Sequence, residues 1–141
     1  MNPEIPLPGS CVHRDPQQVR LTLTAHPNTL AVVRRMVRSQ LVEWECAALT
    51  HTAAMCATEL LSNVHKHARS AECVLTLRRI TDGIRISVTD DEPAMPVVCE
   101  PDQFSERGRG LFLMSRTADE WGVVPTGSGK EVWFTLRPEA V

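Results

Sequence analysis

Two alternating apolar segments joined by a tight turn constrain this chain more than any other feature. Val74-Leu75-Thr76-Leu77 and Ile84-Arg85-Ile86-Ser87-Val88 flank Thr81-Asp82-Gly83, a pattern that predicts an antiparallel hairpin. A hairpin with one apolar face needs a second layer to cover that face. The rest of the chain offers helices for it. Pro27 opens a helix with Leu30, Val33, Val37 and Leu41 at helical spacing, Glu43 to Leu49 breaks the period, and a second helix runs from about Thr52 to Ala68. Val19, Leu21 and Leu23 alternate with polar residues as a further strand, and segments 122–124 and 132–136 flank a Gly127-Ser128-Gly129 turn. The expected fold is α+β. It is a two-layer α/β sandwich, its sheet mixed but mainly antiparallel, with helices on one face.

Length and charge narrow the function. At 141 residues the chain fits one domain. Residues 1–16, which hold Pro3, Pro6, Pro8 and Pro16, read as a flexible tail, and 17–141 as the domain. A net charge of -2 lacks the positive field of a nucleic-acid binder. No apolar run approaches the roughly 20 residues of a membrane span, and Met1 to Pro16 lacks the order of a signal peptide. Five cysteines with no Cys-x-x-Cys spacing suit neither a disulfide framework nor a zinc site. Reduced thiols point to the cytoplasm. The charge is unevenly spread. Segment 16–42 holds Arg20, Arg34, Arg35 and Arg38 and no acid, whereas 90–106 holds Asp90, Asp91, Glu92, Glu100, Asp102 and Glu106 and no Lys or Arg.

The second helix carries a polar stripe. With Glu59 as the zero of angle, Asn63 falls at about 40°, His67 at about 80° and Lys66 at about 340°. Ala53, Ala57, Leu60 and Val64 lie directly beside them. A carboxylate that takes a proton, an amide oxygen that binds a hard cation and an ammonium that meets phosphate are compatible in one pocket floor. Taken alone, the stripe reads more readily as an ordinary helix border with Glu59 and Asn63 in i,i+4 contact. It is not alone. Asp90 ends the strand that begins at Ile84, and the polar segment after it terminates in Arg107-Gly108-Arg109-Gly110-Leu111, opening a short helix to about Ala118. Glycines before a helix N-terminus let backbone amides approach phosphate.

Together these residues resemble the GHKL (Bergerat-fold) ATPases. Glu59-x-x-x-Asn63-x-x-x-His67-Ala68 is similar to their N-box, Asp90 stands where their adenine-reading aspartate does, and Gly108-Arg109-Gly110-Leu111 is similar to their second glycine box. The closing segment Gly129-Lys130-Glu131-Val132-Trp133-Phe134 is similar to their last strand. Order, spacing and length fit best with the compact anti-sigma-factor serine kinases of bacteria, over roughly residues 17–137. The resemblance implies an ATP-binding protein serine/threonine kinase that phosphorylates an anti-anti-sigma protein and sequesters a sigma factor, as a homodimer. It implies Glu59 as general base, Asn63 as the Mg²⁺ ligand, and Lys66 or His67 at the phosphates. Asp90 would read adenine, and residues 91–110 would form a lid hinged at Gly108 and Gly110, with Arg107, Arg109 and Leu111 beside the nucleotide.

Two departures from that pattern carry an alternative. Asp90-Asp91-Glu92-Pro93 replaces the Asp-x-Gly of the first glycine box, and Lys130-Glu131 replaces a small hydroxyl residue. Carboxylates facing the pocket would repel phosphate, leaving a nucleotide-weak module that acts by protein contact alone. Other motifs fail. Gly127-Ser128-Gly129-Lys130 lacks the first glycine and the Ser or Thr of a P-loop, and Gly108-x-Gly110 lacks the third glycine of a dinucleotide turn. His65 and His67 face different directions on a helix. Asp90-Asp91-Glu92 lacks the Gly and terminal Glu of an EF-hand. Arg34 and Arg38, one turn apart on the first helix, read as a solvated basic face or, on the resemblance, as a sigma-contacting surface.

Overall fold

The structure, a computed structural model, describes residues 11–68, 70–92 and 116–138, the His67 side chain excepted. The elements are β1 (Cys11–Asp15), β2 (Gln18–Thr24), α1 (Pro27–Glu43), α2 (Thr50–His67), β3 (Glu72–Ile80), β4 (Gly83–Asp90), β5 (Glu120–Pro125) and β6 (Lys130–Leu136). A 3-10 turn, Ala47–Leu49, leads into α2. The six strands form one sheet in the order β1-β2-β3-β4-β6-β5. Every pairing described is antiparallel, where a mixed sheet was expected.

Register explains the layering. Leu21 pairs Leu75, Leu75 pairs Val88 and Val88 pairs Val132, so one face of the sheet is a continuous apolar surface. Val33, Val37 and Leu41 of α1 and Ala53, Ala57, Leu60, Leu61 and Val64 of α2 complete that core. Period 2 in the strands and 3.6 in the helices thus deliver two matching surfaces. On the opposite face Arg20 and Arg78 are exposed, and the Arg85 guanidinium lies 4.1 Å from the centre of the Trp133 ring.

The hairpin joins β3 and β4 through Thr81 and Asp82, with Ile80 opposite Gly83. Asp82 takes a left-handed conformation, φ 60°, which a short polar side chain tolerates better than most. The other left-handed residue is Glu45, also at φ 60°. It lies one residue past the α1 cap, Trp44. There the Glu45 N–H donates to the Val42 carbonyl and the Cys46 N–H to the Leu41 carbonyl. That is a Schellman stop with glutamate where glycine is usual, and it is why the helical period ends at Glu43.

Residues 11–15, expected within a flexible tail, instead form the edge strand β1, paired to β2 from Cys11↔Thr22 to Asp15↔Gln18. None of the five is fully buried, so the strand has no apolar alternation to betray it. Backbone pairing holds it, aided by Arg14 Nη1 donating to Gln40 Oε1 at 2.8 Å and Trp44 Nε1 donating to the Pro16 carbonyl at 3.1 Å. The short helix expected from Leu111 lies mostly outside the described residues, of which Arg116 and Thr117 are helical.

Candidate functional site

The polar stripe emerges on the border of the α2 core face. Ala53, Ala57, Leu60 and Val64 are buried, Glu59 and Asn63 are half-buried, and Lys66 is exposed. The i,i+4 contact that would make the stripe an ordinary helix border is not formed. Among the described residues neither Glu59 nor Asn63 hydrogen-bonds to another group, although half-buried polar side chains usually find partners. The charge of Glu59 reaches Cys56, one turn earlier. Burial is the main cause that pushes the Cys56 thiol up, a hydrogen bond from Thr117 opposes it, and Glu59 adds to it. His67 ends α2.

Asp90 ends β4 at the same end of the domain. α2 packs against β4, and the Ser70 N–H, just beyond α2, donates to Asp91 Oδ1 at 3.2 Å. Asp91 is thereby turned to the backbone that follows α2. The Glu92 N–H donates to Asp90 Oδ1 at 2.9 Å, an Asx turn that bends the chain as it leaves the strand.

The largest departure from the sequence-based expectation is Lys130. Its ammonium donates to Asp90 Oδ1 at 3.0 Å, Asp90 Oδ2 at 3.1 Å and the Glu92 carbonyl at 3.1 Å. Both side chains of the pair are enclosed, with 9% and 7% of their surface exposed. Gly129 makes this approach possible. A Cβ there would collide with the Asp90 carbonyl oxygen and lie 2.7 Å from the Asp91 Cα. The β5–β6 loop is closed by the Thr126 N–H donating to the Gly129 carbonyl and the Gly129 N–H to Thr126 Oγ1, both at 2.9 Å. The strand then starts with Lys130 opposite Asp90. Of the two extra carboxylates suspected of repelling phosphate, Asp91 and Glu92, Asp91 accepts from the Ser70 amide, while Lys130 neutralises Asp90 itself.

Cys73 lies within reach of Asp90 as well. Burial first, and the Asp90 charge second, push its thiol up to about 12. It is 4% exposed and belongs to the core, as does Cys56. Cys11, by contrast, is exposed.

The structure therefore sets Glu59, Asn63 and Lys66 along α2, and places the backbone just beyond that helix beside the end of β4, where Asp90 stands. Arg107, Gly108, Arg109, Gly110 and Leu111 lie outside the described residues. Arg34 and Arg38 are exposed on α1. Among the described residues no cluster of three metal-ligating side chains exists, and no helix is long and apolar enough to cross a membrane.

The family model described as "histidine kinase-like ATPase domain" matches residues 23–136, from the end of β2 to the end of β6. The chain belongs to that family. No curated protein matches it at a significant level.

Proposed function

We propose that this protein is an ATP-dependent serine protein kinase that also sequesters a sigma factor, its phosphate acceptor being a serine on an anti-anti-sigma protein. The observation that carries the reading is the pair Glu59 and Asn63, half-buried on one edge of α2 with no side-chain hydrogen bond among the described residues, in a histidine kinase-like ATPase domain. The residues fit magnesium-ATP. The Asn63 amide oxygen, without a hydrogen-bond partner among the described residues, suits a hard cation that keeps most of its own waters, and Asp90 is a carboxylate at the strand end. Bound magnesium-ATP supplies the transferable γ-phosphoryl group. Glu59 takes the proton of the incoming serine hydroxyl, Asn63 holds the cation, and Lys66 and His67 serve the phosphates. Arg107, Gly108, Arg109, Gly110 and Leu111 complete the phosphate side, in a lid over residues 91–110. Chemistry of this kind rests mainly on positioning and electrostatics. We place the protein in the cytoplasm, as a homodimer, with no role for nucleic acid or membrane.

A second reading, a module that regulates a partner by contact alone, draws on Asp90, whose carboxylate already holds internal bonds. Calorimetric titration with Mg-ATP separates the two. Binding in the micromolar to low-millimolar range is expected, and no heat at millimolar ATP would sink the kinase. In the binding-competent protein, Glu59→Ala is expected to lower phosphate transfer at least about a hundredfold, the usual scale for losing a general base, with ATP affinity changed less than about threefold. Equal transfer rates would remove Glu59 from that role.

A further inference from the structure

We infer that Lys130 is a positioning residue for base recognition: it fixes Asp90 as a single-acceptor reader of an amino group. The inference rests on the nucleotide-binding reading above and concerns how the base is chosen.

The acceptor count argues it. A carboxylate offers about four lone-pair positions, two on each oxygen. Asp90 Oδ1 receives Lys130 Nζ and the Glu92 N–H, and Oδ2 receives Lys130 Nζ. Among the described residues this leaves one position, on Oδ2, for one incoming N–H donor. An exocyclic amine such as that of adenine supplies a donor. A carbonyl at the same place, as in guanine, would set oxygen against oxygen.

The ammonium has only three protons. All three are engaged, by Oδ1, Oδ2 and the Glu92 carbonyl, so none is left for a phosphate. This separates Lys130 from a phosphate-binding lysine, despite the glycines that precede it. The pair is nine-tenths enclosed, so removing the cation leaves a carboxylate in poor solvent with two fewer bonds. The side chain is then free to turn about its own bonds, which removes the fixed acceptor.

The test compares Mg-ATP with the Mg-triphosphate of purine riboside, which lacks the 6-amino group, by calorimetry. Wild type is expected to prefer ATP by about tenfold or more, the ordinary value of one hydrogen bond to a charged group. In Lys130→Met and Lys130→Gln the preference is expected to fall within about twofold, with purine riboside triphosphate affinity nearly unchanged. Lys130→Arg, which retains the cation, is expected to keep most of it. Gln fills nearly the same volume with polar atoms, so it carries the test if Met unfolds. Retained preference in both neutral variants would overturn the role of Lys130 and leave nucleotide binding standing. Tighter ATP binding in either variant would do the same, marking the pair as an obstruction. A wild type that binds neither nucleotide would overturn the function reading and this inference together.

Discussion

Cys73 shows how burial, with a carboxylate nearby, sets the chemistry of a thiol. The Cys73 thiol ordinarily ionises near 9.0, and burial together with the Asp90 charge raises it to about 12. Between those values the unfolded chain has lost the proton while the native chain still holds it. Stability therefore falls as pH rises through that window, by up to about 1.4 kcal/mol per pH unit for one proton. Denaturant midpoints measured from pH 8.5 to 10.5 are expected to decline less steeply in Cys73→Ala than in wild type. At pH 8 the same shift keeps Cys73 unreactive. Mass spectrometry after brief iodoacetamide treatment is expected to find Cys11 alkylated and Cys56 and Cys73 untouched, since reactivity requires a thiolate and access. The share of the raised Cys73 thiol that comes from Asp90 was not legible in the sequence, because Asp90 is 17 positions away in the chain and is brought near only by the sheet.

At the scale of elements, local chemistry decided most of what forms. Thr81-Asp82-Gly83 set the hairpin, Pro27 set the start of α1, and the alternation at Val19, Leu21 and Leu23 marked β2. The end of α1 is a further case. Glu45 occupies a left-handed position, which costs a non-glycine residue roughly 1–2 kcal/mol before the greater chain entropy of glycine is set against it. Glu45→Gly is expected to raise stability by about 0.5–1 kcal/mol, read as an upward shift of the denaturant midpoint with an unchanged slope. A loss of stability would mean that the Glu45 side chain itself contributes to the stop. β1 escaped the sequence because an edge strand with no buried face has no period to read. Its pairing uses backbone groups, which every residue carries.

For the whole molecule, the two uneven charge segments acquire different meanings. The basic stretch supplies Arg34, Arg35 and Arg38 on the exposed side of α1, away from Val33 and Val37, which enter the core. If that side meets an acidic sigma factor as proposed, Arg34→Glu with Arg38→Glu is expected to weaken binding at least tenfold. The loss should come mainly through slower association and shrink at high salt. Surface plasmon resonance at two ionic strengths checks it, and an unchanged association rate would count against this face. The acidic stretch begins at Asp90, where tertiary structure reverses the expectation of bare negative charge by placing a lysine against it.

The division between sequence and structure follows from the range of the interactions involved. The sequence by itself determined the two-layer α+β architecture, the hairpins and the stripe of Glu59 and Asn63, because helix and strand periods and turn propensities act over a few residues. It also singled out Asp90. Only the tertiary structure decided what Asp90 touches. The Asp90–Lys130 pair joins β4 to β6 across 40 residues, and their register depends on how the sheet closes and on the close approach permitted by Gly129. No local period encodes that pairing. The same pairing turned Lys130 from an apparent departure into the enclosed partner of Asp90, the basis of the positioning role proposed for it.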